Sequence, residues 1–512
     1  MLMLERITHH PMKKAIKNNE LRVVIIVILL ITSMVISSCD KPPVAQSTPS
    51  VSVTPEAVET STTLATDLPT ATSTSTPLPI QTQEPVSLGR TVYTFTADLD
   101  YNKHTLLVRQ TIQYQNQTGQ VLPEIKLVVP PNARQNVFSL SSVAVSGDVN
   151  MVDYSLDGIT LTINLNQPLP DKASITIDLD FALAPRLQGG VLGYSAKQIN
   201  FSDWYPFVPP YDFENGWIIH QPAEVGEYLV YDKADFDLTL NLVNPTGLVV
   251  AASAEAAPQD LDSIKIVHLN SRNITFSVSD QYTVLKNTSN GITVRGYCFI
   301  GDETACQASV DYTTNALQLF SELFSMPYPQ QSMTVVESDF PDGMEYDGLY
   351  YLSDFYFKNY DSSFQNYLAL LSVHETSHQW WFAAVANDQA LEPWLDESLA
   401  TYSEYLYIER YHPELTNWWW DYRINYYKPA GRVNLTIYDQ SDLRTYINAV
   451  YLRGAVFLNQ LRQALGDEAF FTGLRTYTTT FNGKIASWDD FIKIMALNPS
   501  DAIKVLFQEY YK

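Results

Sequence analysis

From Thr91 to about residue 300 the sequence alternates in steps of two; beyond that it takes on the spacing of helices. Ile159, Leu161, Ile163 and Leu165 alternate with Thr160, Thr162 and Asn164, just after the hairpin signal Asp157-Gly158. Ile175, Ile177, Leu179, Phe181 and Leu183 repeat the pattern, as do Phe236, Leu238, Leu240 and Leu242 against Asp235, Asp237 and Thr239. Successive side chains leave a strand on opposite faces, so these runs predict strands with one dry face and one wet face, packed as a β-sandwich. After residue 300, "ACQASVDYTTNALQLFSELF" carries apolar residues at spacings of three and four, and "MTVVE" is a short strand. "FQNYLALLSVHETSHQWWFAAVA" and "EPWLDESLATYSEYLYIERY" read as two helices joined by a short loop around Asn387 and Asp388. Further helices run through "RGAVFLNQLRQALG" and "DEAFFTGLRTYTTTF", and Ser487-x-x-Asp490 caps another. The expected fold is α+β and multidomain, a β-sandwich over 89–300 followed by a mainly helical domain over 301–512.

Residues 1–88 have a different texture. Lys13, Lys14, Lys17 and Arg22 precede an uncharged apolar run, Val23 to Ile36, of signal-peptide length. It ends in "ISSC", which resembles a bacterial lipobox, so Cys39 is expected to be lipid-modified after removal of residues 1–38; the alternative is an uncleaved anchor. Residues 39–88 are rich in Ser, Thr and Pro and cannot bury enough apolar surface to order themselves, which predicts a tether. The first aromatic residue is Tyr93, so the folded body begins near residue 89. The expected location is extracytoplasmic, tethered to the bacterial cell membrane by a lipid anchor. With 32 Lys and Arg against 56 Asp and Glu, the net charge of −24 and the lack of a basic stripe argue against nucleic acid. Cys298 and Cys306 are close in sequence and, if exported, a plausible disulfide. Their distance from the histidines argues against a cysteine metal site.

"VHETSHQWW" places His374 and His378 four residues apart. Four residues advance a helix by about 400°, so both imidazoles share one face and can bind one zinc ion with Glu375 beside it. Alone this string is weak evidence, because two histidines can equally be satisfied by backbone or water. Glu397 strengthens it: 18 residues separate it from His378, and it lies in "WLDES" on the next helix. If the two helices pack antiparallel, Glu397 completes a His₂Glu set with one position open, which catalytic zinc requires.

These residues resemble the gluzincin aminopeptidases, the family of membrane alanyl aminopeptidase. "DGMEYDG" resembles that family's G-x-M-E-N motif through Gly343, Met344 and Glu345, and "YINAVYLRGAVFL" places Tyr451 at its catalytic tyrosine. Tyr446 matches a second tyrosine found in some members. A β domain before a thermolysin-like helical domain is the family's order of parts, and the resemblance covers about residues 89–512. Four positions depart from the pattern: Tyr346 for Asn, Asp396 for Asn, Ser398 for Gly and Arg453 for Lys. The family's large helical C-terminal domain is expected to be missing, leaving a more open cleft.

The resemblance implies a zinc-dependent peptidase acting on peptides, with one zinc per chain held by His374, His378 and Glu397. Glu375 would be the general base, Tyr451 would stabilise the oxyanion, and Glu345 would bind the substrate's α-ammonium beside Met344 and Gly343. Glu404, one heptad past Glu397, would orient a ligand histidine or form a surface ion pair. Trp380, Trp381 and Trp418 to Trp420 read as packing. Aminopeptidase action is expected first; an endopeptidase with an open cleft and a non-catalytic peptide-binding lipoprotein are the alternatives.

Overall fold

The computed structural model describes residues 89–188, 190–440, 442–496 and 500–511, all within one compact unit, Leu78–Lys512. The signal peptide, Cys39 and the tether lie outside the described residues.

The alternating runs form the expected strands. Thr91–Asp100 buries Tyr93, Phe95, Ala97 and Leu99 and turns its other side chains outward. It lies inside a seven-stranded sheet between Ala234–Val243, to which it is parallel, and Thr105–Gln115, to which it is antiparallel. A three-stranded sheet of Leu122–Val128, Thr160–Leu169 and Met151–Asp157 shares the same core, Ile125, Leu161 and Ile163 packing with Ile112 and Ile177. A five-stranded sheet that includes Ile199–Phe201 and Phe276–Ser279, and a two-stranded ribbon of Tyr211–Asp212 and Gly216–Trp217, also belong to the β half.

The strands Tyr282–Ser289 and Ile292–Phe299 fall before residue 300 but join the sheet of the following domain. Ile292–Phe299 pairs in parallel with Ser332–Ser338, which pairs in parallel with Leu349–Ser353; the hairpin strand Gly343–Tyr346 forms the edge. Period-two alternation marks a strand but not the sheet it joins, so a boundary read from texture falls too late. A disulfide between Cys298 and Cys306 ties this sheet to the helix Glu303–Leu323.

Helix Tyr367–Ser377 starts at Asn366, whose side chain accepts from the Ala369 N–H. It packs on Glu303–Leu323, where the Ser309 and Ser372 hydroxyls meet at 2.7 Å. The expected helix through Ala386 instead breaks in a wide turn over Gln379–Ala384, with non-helical backbone at Trp381 and Phe382. "WWFAAVA" is apolar on every side and so carries no phase that would mark the break. Trp380 packs against Phe320 and Phe324, and Trp381 against Phe324 and Tyr477. Arg272 then holds the end of this turn from the β half: its guanidinium donates to the carbonyls of Ala383, Ala384, Lys484 and Tyr231. Helix Trp394–Tyr411 returns beside Tyr367–Ser377, and Gly454–Leu465, Asp467–Phe481, Trp488–Met495 and Asp501–Tyr511 follow. Ser487 and Asp490 form the expected capping box.

Candidate active site

His374 and His378 lie at the end of their helix and Glu397 in the first turn of the next. All three are buried, and one ligand atom from each lies within 4.8 Å of the others. Nε2 of His374 is 3.3 Å, and Nε2 of His378 3.8 Å, from the same oxygen, Oε2 of Glu397.

Each imidazole is fixed from behind. His374 Nδ1 donates to Glu404 Oε1 at 3.1 Å, and His378 Nδ1 donates to the Trp381 carbonyl at 3.3 Å. The helix break makes the second contact possible: Val385 N–H takes the Trp380 carbonyl, which leaves that of Trp381 for the histidine. Both Nε2 atoms therefore face the Glu397 carboxylate. Burial alone would lower the His374 pKa, but the Glu397 and Glu404 carboxylates overcome it and push it up to about 10. Burial takes that of His378 down to about 4.

Glu404 is not at the surface. It is 1% exposed, and Arg423 reaches it with Nε at 2.9 Å from Oε2 and Nη2 at 2.8 Å from Oε1. Trp419 Nε1 adds a hydrogen bond of 3.0 Å, so this tryptophan does more than pack. Burial opposes its charge, yet Arg423 and His374 hold the carboxyl down at about 2.

Glu345 lies on the edge strand, with Oε1 accepting from Gln389 Nε2 at 3.2 Å; the same amide donates to Asp396 at 3.0 Å. Glu375 is buried beside it, and its Oε2 has no hydrogen-bond partner among the described residues. Gly343 permits this approach, because a Cβ there would sit 2.2 Å from Glu375 Oε1. Glu345 and Glu375 also cluster with His378 closely enough to share a cation. Tyr451, half-buried in the cleft wall, lies parallel to the His374 ring with centroids 6.1 Å apart, and burial, then the nearby Glu397 carboxylate, pushes its pKa up. It sits in a widened helical turn, Asn448–Arg453, a feature common at functional sites. Tyr446 is buried, its ring 6.0 Å from that of Tyr451.

The four departures are accommodated locally. Ser398 donates to the Val450 carbonyl at 2.6 Å, and only a glycine at 454 leaves room for it, since a Cβ there would lie 1.8 Å from Ser398 Oγ. Asp396 accepts from the Glu397 N–H at 2.8 Å. The Arg453 guanidinium lies over the Tyr510 ring. The Tyr346 hydroxyl donates to Asp203 at 3.2 Å.

Glu227 has no sequence signal. It comes from a loop of the β half after Gly226 and, with Glu345 and Tyr451, lines a cleft of about 700 Å³ that holds the histidines. Burial, then the nearby Glu397, raises its pKa to about 8; burial likewise raises Glu375 to about 8. Burial followed by neighbouring carboxylates raises Glu345 and Asp396 as well. The cleft therefore gathers buried carboxyls whose ionised form a bound cation would favour. Two imidazole nitrogens and a carboxylate oxygen converging there are a donor set that suits zinc.

A β-sandwich before a helical domain, with two histidines on one helix and a glutamate on the next, is an arrangement similar to that of the gluzincin-type metallopeptidases. Residues 308–510 match the Peptidase family M1 domain. It is 28% identical over 249 residues to human endoplasmic reticulum aminopeptidase 1, covering 45% of this chain and 26% of that protein. It is 25% identical over 301 residues to aminopeptidase M1 of Arabidopsis thaliana, covering 55% of this chain and 34% of that one. It thus spans about a quarter to a third of the length of these curated relatives. The crystal structure of a point mutant of an M1 zinc metallopeptidase from Deinococcus radiodurans shares the fold, with a TM-score of 0.58 at 17% identity, covering 82% of this chain and 94% of that one.

Proposed function

We propose that the protein is a zinc-dependent aminopeptidase that removes the first residue of peptides with a free N-terminus. The observation that carries this reading is the convergence of His374, His378 and Glu397 beside Glu345 and Glu375 in one acidic cleft. His374, His378 and Glu397 would hold the ion, which when bound polarises a carbonyl and acidifies water. Glu404 keeps the His374 proton on Nδ1, so that Nε2 offers its lone pair to the ion. Glu375, desolvated and without a competing partner on Oε2, takes the proton from the attacking water and returns it to the leaving amine. Tyr451, in the cleft wall beside His374, donates its hydroxyl to the developing oxyanion. Glu345, with Glu227 near it in the cleft, holds the α-ammonium, whose own charge favours the ionised carboxylate.

Purified protein assayed on free and N-acetylated peptides, with and without a chelator, tests the reading. Cleavage of the free peptides alone, lost with the chelator and restored by zinc, supports it. Equal cleavage of both favours an endopeptidase, and binding without cleavage favours a peptide-binding protein.

Export and anchoring through Cys39 belong to the same proposal, supported by the basic region, the apolar run and "ISSC". Cys39→Ser should abolish labelling by fatty acid, and label retained on that variant contradicts the anchor.

A further inference from the structure

A second hollow, of about 420 Å³, adjoins the cleft at Glu345 and is not lined by the histidines. The two cavities share Arg134, Val191, Gly226, Glu227, Met344 and Glu345 as a common wall. A first residue with its ammonium on Glu345 and its carbonyl toward the histidines has its Cα at this junction. Its side chain must leave the junction, and the second hollow is the space beside it. The volume lies in the usual range for a ligand pocket, about 300–1,000 Å³.

The hollow is lined by both apolar and polar side chains. Val191, Leu192, Leu229 and Met344 line it, together with the carboxylate of Asp203. Asp203 Oδ1 accepts from the Tyr231 hydroxyl at 2.7 Å, and Oδ2 from the Tyr346 hydroxyl at 3.2 Å. Both donors are neutral, so these bonds orient the carboxylate without cancelling its charge, and each oxygen keeps capacity for another donor. Tyr346 stands where the related motif has Asn, a side chain too short to reach as far as a phenol. Departure and acid thus form one feature. Burial raises the Asp203 pKa; the two phenol hydrogen bonds and Arg134, which lines the same hollow and has one nitrogen on the Leu192 carbonyl at 3.1 Å, offset part of that cost. Against Arg134 stand Asp203, Glu227 and Glu345, in a chain of net charge −24.

We propose that this hollow receives the side chain of the substrate's first residue and that Asp203 selects lysine or arginine there. Those side chains combine an aliphatic stem with a cationic head, which matches a lining of Val191, Leu192, Leu229 and Met344 together with the Asp203 carboxylate. A guanidinium fork can engage both Asp203 oxygens at their remaining acceptor positions. The inference rests on the reading that Glu345 holds the α-ammonium.

The test is kcat/KM on peptides identical except for Arg, Lys, Met or Glu at the first position. Arg and Lys should exceed Met by at least about tenfold, with Glu the poorest. Asp203→Asn should lower the Arg-to-Met ratio at least about tenfold, and Tyr346→Phe should lower it less. Should Asp203→Asn fail to fold, competitive inhibition of the native protein carries the test, arginine amide being expected to bind at least about tenfold more tightly than methionine amide. An Arg-to-Met ratio near one, a ratio unchanged by a folded Asp203→Asn, or a preference for Glu overturns the proposal while the aminopeptidase reading stands. Failure to cleave any free-amine peptide overturns both.

Discussion

His374 lies between two carboxylates, Glu404 at 3.1 Å from Nδ1 and Glu397 at 3.3 Å from Nε2. The Glu404 contact fixes the tautomer and the Glu397 contact faces the metal position. Glu404→Gln leaves a side chain of the same shape without the charge, so zinc affinity should fall about 10–100-fold. Titration against a competing chelator measures this, and unchanged affinity in a folded variant would mean that Glu404 serves Arg423 alone.

Gly343 and Glu375 offer a second test, because the strand passes the carboxylate with no room for a methyl group. Gly343→Ala should displace Glu375 and lower kcat while one zinc per chain remains bound. Glu375→Gln, which removes the base outright, should lower kcat roughly 10²-fold or more with zinc retained. Zinc loss in Glu375→Gln would show that this residue is a ligand.

Glu337 tests the electrostatics away from the cleft. It is fully buried, accepts the Phe299 N–H at 2.8 Å, and burial pushes its pKa up to about 8. Its folded pKa exceeds the ordinary value of 4.5, so its contribution to stability is complete below about pH 4.5 and is lost as the pH rises to about 8. Glu337→Gln does not titrate and should therefore gain thermal midpoint relative to the parent between pH 5 and 8. A change of ~1 kcal/mol corresponds to about 2–4 °C in a domain of this size. A constant difference between the two proteins across that range would contradict the burial argument.

Much of this architecture is legible in the residues because each signal has a local cause. Leu161 and Ile163 alternate with polar neighbours because one sheet face is wet, and His374 and His378 are spaced by the helix that carries them. Glu397 is legible only because the helix after a short loop returns beside the first. Glu227, Asp203 and Arg423 approach the site from irregular or distant segments, and no periodicity connects them to it. The break at Trp381 and the widened turn at Tyr451 are also silent, since apolar runs look alike whether the helix continues or not. The boundary near residue 300 falls late for a related reason: a strand's pattern does not name its partner.

The measurement that bears most directly on aminopeptidase action is the response of Glu345→Ala to two substrates. A free α-ammonium entering this cleft needs an anionic partner, and removing one member of such a pair typically costs about 2–5 kcal/mol. The variant should keep its zinc and lose at least about 30-fold in kcat/KM on free-amine peptides. N-acetylated peptides have no ammonium, so any slow cleavage of them should barely change. If cleavage of both substrates falls equally, Glu345 does not read the N-terminus, and the protein is not an aminopeptidase by this mechanism.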